Sequence, residues 1–272
     1  MILDLNCPLP LGYNHDALIN ARDSSLYDRF LQGSTNVSNV PPQDFSDMLA
    51  DDVMPVAPPG TDQVLLCDGT STTANEAALA AAIMQFASAN NKENLSDLSV
   101  LGVSKASHGC SVATLSASDS AANVGNVPTY DWPSVDLPEL KQPYAQHEFF
   151  NREEEEACLE QAARLIKERQ DAGRDVAAMI VEPISSLEMR NGTPNFYKGL
   201  RRIAKANGIP FIVDETKTGM GQTGKMWAHE HWYLQDRDGG APDVVTFGGK
   251  AGISGYYSTY DFRVASAGQS VE

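Results

Sequence analysis

The order of apolar runs along this 272-residue chain predicts an α/β protein: a mostly parallel sheet covered by helices on both faces. Two observations carry that prediction. The strand-length runs VAAMIV, IPFIV and DVVTF are continuously apolar rather than alternating, and stretches of helical period lie between them. A third says where chemistry belongs, because open sheets of this kind bind ligands at the carboxyl ends of their strands.

Residues 1–60 are rich in Pro, Asn and Asp, with NVPPQDF and VAPPG, and read as an irregular arm ending at Gly60. Gln63–Cys67 (QVLLC) is expected as a short buried strand, and 74–89 as an Ala-rich helix with an apolar face. A second strand covers 98–103. Residues 104–150 lack a clear period and carry turn signals at SHG, VGNVP and DWP, so they read as an ordered excursion. In 152–170 (REEEEACLEQAARLIKERQ) acids open a helix and bases close it, as the helix dipole favours, and EEEE reads as its solvated start. The all-apolar strand Val176–Val181 follows, then a helix over 196–207 closed by Gly208, and strands over 210–213 and 243–247. The regular region runs from 61 to 263 and leaves 264–272 as an irregular tail.

Composition narrows the partners. A formal charge of -16 repels nucleic acid and anionic membrane surfaces, and points to small molecules or proteins. A hydrophobic content of 42% supplies a core, yet no run reaches the roughly 18 apolar residues of a bilayer span. The opening MILDLNCPLPLGYNHDAL lacks the basic region of a signal peptide and the Arg-rich character of a transit peptide, so no address is expected in it. Cys7, Cys67, Cys110 and Cys158 lie far apart without a CxxC pair. That spacing fits neither a zinc site nor a disulfide framework, and each reads as a reduced, small buried hydrophobe.

The strand ends deliver GTSTTANE, then Ser107-His108-Gly109, Glu182, the pair Asp214-Glu215, and Lys250 after glycines. Ser71 and Thr72 open a helix, so they serve either as a plain N-cap or as an anion cradle for a phosphate. An acid at a strand end can pair with a protonated ring nitrogen, and a desolvated lysine can form a Schiff base. Phosphate cradle, acid and lysine together are what a pyridoxal-phosphate site needs. The bland alternative makes Asp214-Glu215 a helix cap and Lys250 a surface lysine. His229 and His231 form an HxH pair with no third ligand at suitable spacing, so no metal is expected.

Three segments in order, VAAMIVEPI, IPFIVDETKTGMGQTGKMWAHEHW and APDVVTFGGKAGISGYY, resemble the class III aminotransferases of fold type I. The AHEHW and DWP pieces are most similar to the 4-aminobutyrate aminotransferases of eukaryotes. The resemblance implies a seven-stranded large domain holding pyridoxal 5'-phosphate. Asp214 would pair with the pyridine nitrogen, and Lys250 would be the Schiff-base lysine that also shuttles the substrate proton. Thr70, Ser71 and Thr72 fall on the phosphate cup, Glu182 is the glutamate of the VEP motif, and His108-Gly109 is the pair beneath the cofactor. The implied activity passes an amino group from 4-aminobutyrate, or a similar ω-amino acid, to 2-oxoglutarate. A homodimer and a mitochondrial location come with it.

Departures from the family pattern cluster at the substrate end. Ser107 stands where an aromatic stacks on the ring, a loss of about 1 kcal/mol. Cys110 stands where an arginine clamps the substrate carboxylate, which a thiol cannot do bidentately. The gating glutamate falls on Leu187 with Glu188 beside it, and a cofactor-contacting glutamine falls on Lys217. The cysteine pair of some members is Thr70 and Thr73, so no iron–sulfur cluster is implied. The family runs longer at both ends and adds a small C-terminal domain, so the resemblance implies a truncated chain. A non-catalytic homologue acting as a binding or assembly subunit is the alternative reading.

Overall fold

The computed structural model describes residues 16, 19–20, 45–67, 70–119, 127–249, 253–260 and 262. Most of the expected arm and the tail 264–272 lie outside them. Within 45–60, a short helix at Phe45–Met48 runs on through two further turns to Val56.

The strands are β1 (Gln63–Cys67), β2 (Ser99–Val103), β3 (Ser134–Val135), β4 (Val176–Val181), β5 (Phe211–Asp214), β6 (Val244–Phe247) and β7 (Ser254–Ser258). They form one seven-stranded sheet in the order β1-β7-β6-β5-β4-β2-β3. The contiguous block from β3 to β6 is parallel, and β7 lies antiparallel between β6 and β1. Beyond Phe45–Met48, the α-helices of the described residues are α1 (Ser71–Ala89), α2 (Val112–Ser116), α3 (Glu148–Asp171) and α4 (Pro194–Ala206).

Strand periodicity sorts the core into two layers. Ala178, Ile180, Ile212 and Val244 meet Ala78, Leu79 and Ala82 of α1. Met179, Val181, Phe211, Val213 and Val245 face the other way, onto Cys158 and Ile166 of α3 and Tyr197 and Leu200 of α4. The alanines of α1 let its backbone ride close to the sheet, so enlarging Ala78 or Ala82, both fully buried, would overpack it by about 1–3 kcal/mol. On the outer layer Arg201 of α4 donates to Asp243 at 2.6 and 3.1 Å, and Asp243 also accepts from the Phe211 amide, tying α4 to the start of β5.

Several sequence expectations need correction. β1 is an edge strand with Leu65 44% exposed, because only β7 pairs with it. The excursion contains α2 and β3, both too short to leave a period. α3 begins at Glu148, four residues before the expected start, so EEEE falls in its body. Within that run Glu155 is buried, accepting from the Thr193 amide at 2.7 Å and its hydroxyl at 2.8 Å, and so steadies the N-cap of α4. β7 (SGYYS) was given no bounds from the residues alone and enters only through the seven strands that the resemblance implies. Of the described cysteines only Cys158 is buried, while Cys110 is exposed. No helix among the described residues is long and apolar enough to cross a membrane.

Candidate active site

Asp214 closes β5 on the α1 side, the face set by Ile212 two residues earlier. Its carboxylate is 2% exposed and carries a full set of donors. Oδ2 accepts from Asn75 Nδ2 and His108 Nδ1, both at 2.8 Å. Oδ1 accepts from the Thr216 amide at 3.0 Å and the Thr216 hydroxyl at 2.6 Å. Asn75 donates as well to the His108 carbonyl and accepts from Thr246 Oγ1 at 2.6 Å. Burial pushes the Asp214 carboxyl up, but the hydrogen bond and charge of His108, the Thr216 hydroxyl and the charge of Lys217 outweigh it. The group is held below the usual carboxylate range.

Glu182, at the end of β4, forms the second centre. Its Oε2 accepts from the Ser107 amide at 3.2 Å and from the Ser186 amide and hydroxyl at 3.0 Å. Lys217 Nζ donates to Glu182 Oε1 and Ser186 Oγ, each at 2.9 Å, and to the Ser107 carbonyl. The cation is half exposed while the acid is 4% exposed, so the pair sits at a mouth rather than in the core. His108, Glu182 and Asp214 bring ligand-type atoms within 4.8 Å of one another. Chain donors already occupy both carboxylates, so this grouping does not read as a cation site.

The anchor lies at the start of α1. Thr70 is the N-cap, and the first amides bonded back into the turn are those of Thr73 and Ala74; those of Ser71 and Thr72 have no backbone acceptor among the described residues and suit an anion. Glycines crowd this turn. A Cβ at Gly109, whose φ is +140°, would stand 2.6 Å from Thr72 Oγ1, and one at Gly248 would stand 2.8 Å from Ser71 Oγ. Cys110 joins the cluster through its amide, 3.4 Å from Thr72 Oγ1, and its Sγ at 3.7 Å.

Thus Ser71, Thr72, Gly109 and Cys110 share one corner, His108 and Asp214 the buried floor, and Ser107, Glu182 and Lys217 the mouth. Glu188 does not join them: it is exposed and holds Arg190 and Lys105 instead. Lys250 lies outside the described residues. Asn75, Thr216 and Thr246 were missed by sequence reasoning. Asn75 alone carried a signal, as an asparagine one turn inside an Ala-rich helix, where its side chain otherwise disfavours helix. His229 and His231 do not converge on a metal, since His229 bonds Glu215 and His231 bonds the Thr223 carbonyl.

The family model described as "Aminotransferase class-III" matches residues 3–266. The chain belongs to the class III aminotransferases. Among curated relatives of this class III chain, the 4-aminobutyrate aminotransferase of Dictyostelium discoideum is 36% identical over 97% of the chain and 56% of the relative. That of Emericella nidulans is 37% identical over 94% and 55%, and the mitochondrial enzyme of Mus musculus 35% over 94% and 54%. The chain spans about half the length of the curated relatives it matches. A lysine aminotransferase from M. tuberculosis in the internal aldimine form superposes with a TM-score of 0.76 at 25% identity, over 94% of this chain and 57% of that one. The sheet of this class III chain is therefore that of the fold type I large domain.

Proposed function

We propose that the chain supplies the cofactor-binding domain, 61–263, of a pyridoxal-phosphate-dependent aminotransferase. It passes the amino group of 4-aminobutyrate, or a similar ω-amino acid, to a 2-oxo acid such as 2-oxoglutarate. The observation that carries the reading is Asp214: a buried carboxylate, kept anionic at a strand end, with the N-terminus of α1 in the same site. The names of the relatives support the amino donor. A homodimer and a mitochondrial location, the latter part of the mouse relative's name, belong to the same proposal.

The residues fit the cofactor. The glycine-crowded turn at Ser71 and Thr72 suits a phosphate, and the Asp214 carboxylate suits a protonated ring nitrogen. His108 Nε2 is buried and has no partner among the described residues, which leaves one polar atom to be met beside Asp214. When bound, pyridoxal phosphate supplies an electron sink for the bond-breaking at the substrate's amine-bearing carbon.

The chain's own groups do the rest. Asp214 would hold the proton on the ring nitrogen, and Asn75 and His108 keep that carboxylate in place. The Ser71 and Thr72 amides would hold the phosphate. Glu182 and Lys217 form an ion pair at the mouth, and Lys250, assigned on its motif alone, would hold the cofactor through Nζ and move the substrate proton.

The test is titration of the purified chain with pyridoxal phosphate, reading the visible absorbance of lysine-bound cofactor, with Lys250→Ala as control. A band that Lys250→Ala lacks, and that 4-aminobutyrate bleaches and 2-oxoglutarate restores, is the expected result. A chain that develops no band does not have this function.

A further inference from the structure

Asp214 presents no open lone pair. Each carboxylate oxygen offers about two acceptor directions, and four close donors fill them: Asn75 Nδ2 and His108 Nδ1 on Oδ2, and the amide and hydroxyl of Thr216 on Oδ1. Any ring N–H that reaches this carboxylate must displace one of the four.

Three of them are anchored elsewhere. The Thr216 amide is backbone. Asn75 is held at both ends of its own amide, by the His108 carbonyl at 2.8 Å and by Thr246 Oγ1 at 2.6 Å. His108 has its amide on Ser118 Oγ at 2.8 Å and its carbonyl on Asn75, and its ring, 0% exposed, cannot swing without repacking what surrounds it. The Thr246 hydroxyl stands 3.5 Å from Oδ1, but its proton serves the shorter bond to Asn75. Only the Thr216 hydroxyl is released by a single rotation, about its own Cα–Cβ bond, that leaves the other three donors in place.

We propose that the Thr216 hydroxyl is a placeholder: it fills the Asp214 lone pair that an incoming ring N–H takes, and turns aside when that ligand binds. Without a ligand it spares a buried carboxylate an unmet acceptor. Binding then exchanges one hydrogen bond for another, so part of the ligand's interaction with Asp214 is spent on displacing Thr216. The inference rests on the pyridoxal-phosphate reading of the site.

The probe is 4'-deoxypyridoxine 5'-phosphate, which has the ring nitrogen and the phosphate but no aldehyde, so Lys250 forms no bond to it. Dissociation constants are compared for the wild-type chain, Thr216→Val, Thr216→Ala and Thr216→Ser. Removing the hydroxyl is expected to tighten binding about two- to tenfold, the net worth of one hydrogen bond, while Thr216→Ser stays at the wild-type value. The ligand-free Thr216→Val chain is expected to melt lower and to gain more on ligand addition than wild type. Thr216→Ala repeats the test should the valine variant fail to fold. Equal or weaker binding by the variants lacking the hydroxyl, with wild type still binding, overturns the placeholder alone. No binding by any of the proteins overturns the cofactor reading and the placeholder with it.

Discussion

Asp214 and Glu215 are adjacent, both 2% exposed, and each is paired with a histidine ring nitrogen, at 2.8 and 2.9 Å. They nonetheless do different work, because the alternation of β5 sends them to opposite layers. Asp214 faces α1, and its histidine comes from the end of β2, 106 positions away. Glu215 faces the outer layer and accepts from the His229 amide and ring and the Thr218 hydroxyl, all within 14 positions. One acid is a junction between distant strands, next to a buried ring nitrogen with no partner among the described residues and bonded to the Thr216 hydroxyl that we propose to be displaced. The other is a local strut that pins the AHEHW turn under the sheet. Two neighbouring carboxylates of equal burial therefore differ in what their partners can release.

The contrast breaks most visibly at the strut. Glu215→Ala leaves His229 and Thr218 without their acceptor and is expected to cost about 3–5 kcal/mol, read as a lower urea midpoint. Unchanged stability would show that Glu215 braces nothing. At the junction, Asp214→Asn is expected to weaken pyridoxal phosphate binding about ten- to a hundredfold, the range for a hydrogen bond to a charged group. A titration giving wild-type affinity would remove Asp214 from the site.

Acid stability supplies a finer measure. The folded Asp214 carboxyl lies below its ordinary 3.8, so the unfolded chain binds more protons between those two values. Its contribution is present above pH 3.8 and is lost as the pH falls through the folded value. Asp214→Asn is expected to make that acid limb shallower. Glu155 has the opposite sign. Burial raises it above 4.5 despite the Thr193 donors, so its contribution declines as the pH rises from 4.5 through the folded value. Glu155→Gln is expected to flatten that decline, the smallest of these effects, and an unaltered slope in urea melts between about pH 4 and 7 would assign the decline elsewhere.

Much of the frame was legible in the chain. Continuous apolar runs gave β4, β5 and β6 to within a residue or so at either end, and helical period gave α1, α3 and α4 with shifted starts. Asp214 and Glu182 were legible as acids that end such runs. Those shifts have local causes. α1 starts three residues early because Thr70 caps it, and α4 two residues early because Thr193 caps it with Pro194 in its first turn. The EEEE run misled because its charges look alike in sequence, whereas the helix rotates Glu155 inward to meet Thr193. β3 and β7 left no period, one being two residues long and the other rich in small and tyrosine residues.

By itself, then, the sequence determined the layer order, the strand ends and the acids placed there, since these follow from hydrophobic period and local caps. Only the tertiary structure decided which donors meet those acids. Asn75, His108, Thr216 and Thr246 come from four separate stretches, and their convergence depends on strand order and register, which no local pattern encodes. It also decided that Lys217 bonds Glu182 at the mouth and that Glu188 turns to Arg190 and Lys105, because a side chain's partner depends on the neighbouring loop that reaches it.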